Sequence, residues 1–207
     1  MKISTKVQKR IDKYSPQGGL DQTAKIILSL TGINHPEVRE HKERVALLAE
    51  AVAKELKKDE KAAFFGGLLH DTGKLTEPHK LFDGHNITAE EYALVKQHVN
   101  EGFEALKDHH LFTAFCAGLH HAMFYKGYGL TAKDLPGHWH MGTVKKVLEI
   151  SGIISICDFI DAFTHRKTKI KDGSDKKSSN LKKILYEKYP EDRLIIDIAL
   201  KEAPKMD

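Results

Sequence analysis

A histidine and an aspartate stand side by side at the end of a strongly apolar segment. The run AAFFGGLLHD, residues 62–71, is apolar enough for a buried helix, and it ends in His70 and Asp71. Buried imidazole and carboxylate groups need partners, and together they suit a divalent metal. We expect Gly73 to stop the helix and Lys74 to place a cation where a phosphate on that metal could meet it. A helix that merely ends in a polar pair explains these residues alone equally well.

Composition limits the class of protein. The 207 residues, 41% hydrophobic and 30% charged, fit one soluble globular domain. The 33 basic and 29 acidic residues give a net charge of +4, too small to argue for a nucleic-acid partner. Cys116 and Cys157 lie in apolar runs, so we expect no disulfide and a reducing, cytoplasmic setting. The N-terminus has no signal-peptide core, and no run approaches the ~20 apolar residues of a membrane span.

Helical periodicity dominates the chain, and no segment alternates as a strand would. The sequence therefore predicts an all-α fold in a single domain over residues 1–207. We expect a helical lead over residues 1–34, a core over residues 35–168, and a basic loop with C-terminal helices over residues 169–207. The basic, turn-rich stretch 166–183 is interpreted as a solvated loop.

The first histidine that helical spacing turns inward is His41. It shares a helical face with Val45, Leu48 and Val52, so it points to the core and needs a partner there. Glu37 lies one turn earlier on the same face. For Glu37 a metal-ligand role and an ordinary helix-start acid remain equally open.

Further histidines accompany two later helical segments. His98 lies on the flank of the apolar stripe of EEYALVKQHVNEGFEAL, residues 90–106, which we interpret as one helix with a capping box at Thr88. His120 lies in line with apolar positions of LFTAFCAGLHHAMF, and His121 is next to it.

Two acids interrupt the longest apolar segment, VKKVLEISGIISICDFIDAF. Asp158 and Asp161 share a helical face with Ile150 and Ile154. An uncompensated carboxylate there would cost several kcal/mol or be neutralised. A metal would compensate Asp158, and Asp161 could accept hydrogen bonds from ligand side chains.

The inward polar residues come from different helices and are His41, His70, Asp71, His98, His120, His121 and Asp158. Five imidazoles and two carboxylates are too many ligands for one ion, and they suffice for two if one carboxylate bridges. Because the set contains no thiolate, it argues against structural zinc and favours iron or manganese. Two ions about 3.5–4 Å apart would generate a bridging hydroxide for an in-line displacement, which is phosphoester hydrolysis.

In order and spacing this set resembles the HD superfamily of metal-dependent phosphohydrolases, in particular its HD-GYP branch. HDTGK stands where that branch has HD-x-G-K, and ICDFIDAFT resembles its D-x-x-D-A-L-T helix. The resemblance covers roughly residues 35–168 and implies a compact HD-domain helical bundle with the metals at its centre.

The resemblance also implies roles for individual residues. One metal would be held by His41, His70, Asp71 and Asp158. The second would be held by His98, His120 and His121, with Asp71 bridging the two ions. Asp71 and Lys74 would serve catalysis, with Lys74 on a substrate phosphate. Glu37 matches an acid that helps to bind a third metal in some members of the branch.

The chain departs from the branch in its substrate loop. Where the branch has HHExxDGxGYP, this chain has HHAMFYKGYGL, with Ala122 in place of the acid. The branch's arginine after D-A-L-T falls on Lys167, with Arg166 one place early. The resemblance therefore implies metals and phosphohydrolase chemistry more strongly than cyclic di-GMP as the substrate.

Three functions remain open at this point. The first is a phosphohydrolase or phosphodiesterase acting on a small nucleotide-like phosphoester, with cyclic dinucleotides among the candidates and no membrane partner. The second is an HD-type di-iron oxygenase, against which Lys74 and the second histidine doublet argue. The third is a metal-bearing binding or sensory module whose altered loop has lost turnover.

Overall fold

The structure, a computed structural model, describes residues 2–14, 19–83, 85–165 and 178–205. Within these ranges every regular element is a helix, which confirms the all-α fold. The α-helices run as follows: α1 Ile3–Tyr14, α2 Gly19–Asn34, α3 Pro36–Glu55, α4 Glu60–Leu69, α5 Ala89–Val95, α6 His98–Leu106, α7 Leu111–Leu119, α8 Met141–His165, α9 Ser178–Lys188 and α10 Arg193–Glu202. Short 3-10 turns span Thr72–Thr76, His79–Phe82, Ala132–Asp134 and Ala203–Lys205.

Helices α3 and α8 form the centre of the bundle. They pack against each other, and both contact α4 and α10. One buried apolar cluster joins α3, α7, α8 and α10 and includes Val52, Leu119, Ile154 and Ile196. Burial of each such side chain contributes about 1.5–3 kcal/mol. The bundle therefore holds the middle of α3 and α8 rigidly against each other.

A second apolar cluster attaches the N-terminal helices. Ile11 of α1 and Leu28 of α2 pack with Phe64 of α4 and Leu106 of α6. The helical lead is thus part of the packed structure. None of the helices in the described ranges has both the length and the apolar character needed to cross a bilayer.

Helix starts follow the signals in the sequence. The Asp59 carboxylate accepts a hydrogen bond from the backbone N–H of Ala62 and caps α4. Thr88 and Glu91 form the expected capping box at α5. Each such cap contributes about 1 kcal/mol, so Asp59 stabilises the start of the helix that leads to the His70–Asp71 pair.

The single helix predicted over residues 90–106 is wrong, because the structure divides it into α5 and α6. Between them the backbone tightens into i→i−3 hydrogen bonds, from Gln97 to Leu94 and from Asn100 to Gln97. The carbonyl of Val95 accepts a hydrogen bond from the His98 imidazole. The break turns His98 fully inward, with 1% exposure, whereas the helical stripe had left it half inward.

Gly73 has a different role from the predicted helix stop. Helix α4 already ends at Leu69, and Gly73 lies inside the following 3-10 turn. A Cβ at Gly73 would lie 2.1 Å from the carbonyl oxygen of His98 and 2.7 Å from the backbone N of Gly102. The glycine therefore allows the HDTGK turn to pack directly against the backbone of α6.

Candidate metal centre

Three histidines lie at helix ends, and each makes the same hydrogen bond to the backbone. His70 follows α4, His98 begins α6 and His120 follows α7. In each, Nδ1 bonds the backbone carbonyl three residues earlier, at 2.7 Å for both His70 and His120. Because Nδ1 donates to a carbonyl, Nε2 faces the centre, and its lone pair is available to a metal when that nitrogen carries no proton, as in metal-ligating histidines.

His41 reaches the centre from the second turn of α3. Its Nδ1 lies 2.7 Å from Oδ2 of Asp161, and its Nε2 lies 3.0 Å from Oδ1 of Asp158. His41 therefore connects α3 to both acids of α8, whereas its helical spacing had placed it inward without identifying a partner.

Arg44 supports this arrangement and was not found from the sequence. Its Nε lies 2.6 Å from Oδ1 of Asp161, and a second guanidinium nitrogen lies 3.0 Å from Oδ2. The signal was present, since Arg44 follows His41 by three residues and shares its face of the helix.

Asp71 lies between the imidazoles. Its Oδ2 is 3.3 Å from Nε2 of His70 and 3.5 Å from Nε2 of His41. Its Oδ1 is 3.2 Å from Nε2 of His98 and 3.9 Å from Nε2 of His120. The two carboxylate oxygens thus face two different pairs of histidines, which is the geometry that a bridging ligand requires.

His121 completes the set from the mouth of the site. Its Nε2 lies 4.0 Å from Oδ2 of Asp158. Its ring stacks on Tyr128 at 4.7 Å and 22°, and the Tyr128 N–H donates to the His121 carbonyl. Tyr128 comes from the loop that departs from the HD-GYP pattern, and sequence reasoning did not assign it this contact.

The residues present fit divalent metals. Potential ligand atoms lie within 4.8 Å of one another in three groups: His41, His70 and Asp71; His98, His120 and His121; and His70, His120 and Asp158. Among the described residues, Nε2 of four of these histidines and Oδ1 of Asp71 are buried without a hydrogen-bond partner. Buried polar atoms are rarely left unpaired, so their convergence indicates cation binding.

Burial and neighbouring charges keep Asp71 ionised and keep His120 and His121 neutral. Burial raises the pKa of Asp71, but His70 and Lys74 outweigh it and hold that pKa well below its usual range. Burial and the neighbouring imidazoles hold the pKa of His120 well below its usual range, and burial lowers the pKa of His121 to about 3. For His70 burial is outweighed by Asp71 and Asp158, which raise its pKa to about 9.

Lys74 and Glu37, which are also predicted site residues, lie in different surroundings: Lys74 is buried and Glu37 is exposed. Lys74 is 4% exposed, and its ammonium contacts Oδ2 of Asp71. Glu37 is exposed on the first turn of α3 and, among the described residues, is in none of the three ligand groups. Its role at a third metal stays a prediction. Of the predicted loop over residues 166–183, residues 166–177, with Arg166 and Lys167, lie outside the described residues. The loop prediction is wrong for residues 178–183, which form the start of α9.

Residues 38–163 match the family model of the HD domain. The chain belongs to the HD domain family. The match spans more than half of the chain and includes every predicted metal ligand except Glu37. This HD domain has no significant match among curated proteins.

Solved structures show the same fold. The HD domain of the phosphodiesterase PgpH from L. monocytogenes superposes with a TM-score of 0.58 at 20% sequence identity. The alignment covers 87% of this chain and 98% of that one. The same domain in complex with cyclic-di-AMP gives a TM-score of 0.58 at 20% identity, with 87% and 97% coverage. At this identity the likeness defines the fold.

Proposed function

We propose that this HD domain is a metal-dependent phosphohydrolase that cleaves a nucleotide-like phosphoester, with an architecture related to the HD-GYP branch. The observation that carries the proposal is the position of Asp71, whose two oxygens face separate histidine pairs. A carboxylate so placed can bridge two ions, and two-metal sites of this kind serve phosphoester hydrolysis.

The proposed ligands divide around Asp71. One ion would be held by His41, His70, Asp71 and Asp158. The other would be held by His98, His120 and His121, again with Asp71. When bound, two divalent ions supply an activated water and neutralise charge on the phosphate oxygens. Glu37 stays a candidate for a third ion.

The chain's own residues orient the phosphate and limit the access of water. Lys74 places a buried ammonium beside Asp71, where it would attract a substrate phosphate and stabilise its developing charge. His70 and His120 are fully buried, while His121 is partly exposed at the mouth. The ester would therefore approach from the His121 side.

A cyclic dinucleotide is one candidate substrate. The PgpH domain is a phosphodiesterase with a cyclic-di-AMP complex, which supports a phosphodiester as the substrate class. The altered loop at Ala122–Leu130 weakens the case for cyclic di-GMP itself, because the acid of the HD-GYP pattern is missing there.

The test combines metal analysis with a panel of substrates. Purified protein should contain about two transition-metal ions per chain and should hydrolyse bis(p-nitrophenyl) phosphate or cyclic di-AMP. p-Nitrophenyl phosphate separates monoesters from diesters. Bound metal without hydrolysis of any ester would favour the binding or sensory module. Oxygen uptake with a candidate substrate would favour the di-iron oxygenase.

A further inference from the structure

Lys188, the last residue of α9, brings a second lysine to the Asp158 side of the centre. Its ammonium lies 3.4 Å from the ring centroid of Phe124 and 4.9 Å from that of Phe159. Phe159 directly follows Asp158, and Phe124 lies three residues after His121. Lys188 therefore contacts two rings that lie within three residues of predicted metal ligands.

The position of Lys188 is fixed by its neighbours in the chain. Its carbonyl accepts a hydrogen bond of 3.1 Å from the backbone N–H of Tyr125. The next residue, Tyr189, is buried, and its hydroxyl donates to the backbone carbonyl of Ser155 at 3.0 Å. These bonds join the end of α9 both to the loop after His121 and to α8. The backbone of Lys188 is thus held in place against both segments.

In the described part of the chain, aromatic rings and not a carboxylate contact the charge of Lys188. Within the described parts of the chain, no carboxylate oxygen lies within the 4.0 Å of an ion pair from its ammonium, although the charge of Asp158 acts on it. Burial lowers the pKa of Lys188 and outweighs the opposing effect of Asp158. Cation–π contacts are weak, while a charge-assisted bond to phosphate is stronger and directional. An anionic group of a ligand could therefore draw the ammonium from the rings.

Two lysines consequently flank the ligand cluster. Lys74 contacts Asp71, and Lys188 lies on the side of Asp158 and His121. We propose that Lys188 binds a second phosphate group of the substrate, apart from the phosphate at the metals and Lys74. The inference rests on the proposed function and narrows its substrate class to nucleotides that carry a phosphate besides the scissile one. Lys188 lies outside the region matched by the family model, so this contact is a property of this chain's C-terminal helices.

The decisive experiment compares two ligands that differ by one phosphate. ApA contains a single internal phosphodiester, and pApA carries an additional 5′-phosphate. Both are made with a non-hydrolysable phosphonate linkage in place of the internal ester, because the proposed enzyme would cleave the natural one. Their affinities are measured by calorimetry on the full, metal-loaded chain. Wild-type protein should bind pApA at least tenfold more tightly than ApA. Lys188→Met should remove most of this preference, and Lys188→Arg should retain it, because arginine preserves the charge.

Matched controls separate binding from folding. Lys182→Met makes the same change on the same helix at an exposed lysine that pairs with Asp197 at 2.7 Å, and it should leave the preference unchanged. Thermal melting shows whether Lys188→Met merely loosens α9. If Lys188 were purely structural, Lys188→Met would lower both affinities equally, and Lys188→Arg would not restore them. Either that result, or a wild type with no preference for pApA, would overturn the inference.

The proposed phosphohydrolase function and the proposed Lys188 contact would be contradicted by different results. Wild-type protein that prefers pApA but hydrolyses no phosphoester would contradict the phosphohydrolase and leave the second phosphate contact intact. If the wild type hydrolyses bis(p-nitrophenyl) phosphate, and every variant binds both dinucleotides with equal affinity, the second phosphate contact is contradicted and the phosphohydrolase is left intact.

Discussion

Asp161 holds His41 through a short contact of 2.7 Å between Oδ2 and the imidazole Nδ1. Arg44 in turn donates hydrogen bonds to both oxygens of the same carboxylate. This chain of contacts fixes the tautomer and the ring plane of His41, so that Nε2 faces Asp71 and Asp158. Asp161 is therefore a positioning residue that acts through His41.

Asp161→Asn should weaken metal binding without removing a ligand. The amide keeps the shape of the side chain but loses the charge that orients His41, and changes of this kind typically cost about 10–100-fold in metal affinity. Calorimetric titration of the metal-free protein measures the effect. Asp197→Asn, at an exposed aspartate, is the matched control. Unchanged affinity in Asp161→Asn would contradict the positioning role.

Asp71→Ala and Lys74→Ala should separate metal binding from phosphate positioning. Removing the carboxylate that faces both histidine pairs should abolish metal content and activity together. Removing the ammonium should leave the metal in place and lower kcat by about 10²-fold, as loss of one charge-stabilising group does. Elemental analysis and diester hydrolysis provide the two readouts. Lys80→Ala, at an exposed lysine, should change neither. Full metal content in Asp71→Ala would refute the bridging role.

Gly73→Ala should disrupt the contact between the HDTGK turn and α6. The added Cβ would overlap the carbonyl oxygen of His98, so α6 must move and the free energy of unfolding should fall by about 1–3 kcal/mol or more. The same movement displaces His98, and metal affinity should fall as well. Gly152→Ala on α8 meets no atom within 4 Å and should stabilise by about 0.5–1 kcal/mol. Chemical denaturation of both variants measures the difference, and equal effects would be inconsistent with the close approach.

Acidification should weaken the N-cap of α7. His110 Nδ1 accepts the backbone N–H of Thr113, and burial lowers the pKa of His110 from 6.5. Since the unfolded chain binds the proton more readily, the cap's contribution of about 1 kcal/mol is present above pH 6.5 and is lost as the pH falls below it.

Urea denaturation between pH 7.5 and 5.5 tests the pH dependence of this cap. His110→Asn keeps an acceptor that does not titrate, so the stability of this variant should fall less on acidification than that of the wild type. His109→Asn, at the exposed neighbour, should follow the wild type. A His110→Asn slope equal to that of the wild type would show that the cap does not titrate in this range.

The sequence predicted the fold class and the inward direction of His41 because helical periodicity is local. His41 turns inward because it shares a face with Val45 and Leu48, and no tertiary information is needed to see this. The break before His98 was missed because it depends on an imidazole bonding the Val95 carbonyl, which apolar spacing does not report.

Contacts between distant segments were also hidden from the sequence. Arg44 meets Asp161 across 117 positions, and Lys188 reaches Phe124 across 64. The role of Gly73 depends on how closely α6 approaches, which the local turn signal cannot express. Such relationships arise from packing and not from the pattern of one segment.

The attachment of imidazoles to helix ends limits how this protein can change in length. His70 and His120 each follow the last residue of a helix and bond a carbonyl of its final turn. One residue inserted into α4 or α7 would rotate the ligand by about 100° around the helix axis. Insertions and deletions should therefore be tolerated in the connecting loops and eliminated from these helices, so the number of residues in each would be a stricter evolutionary constraint than their identity.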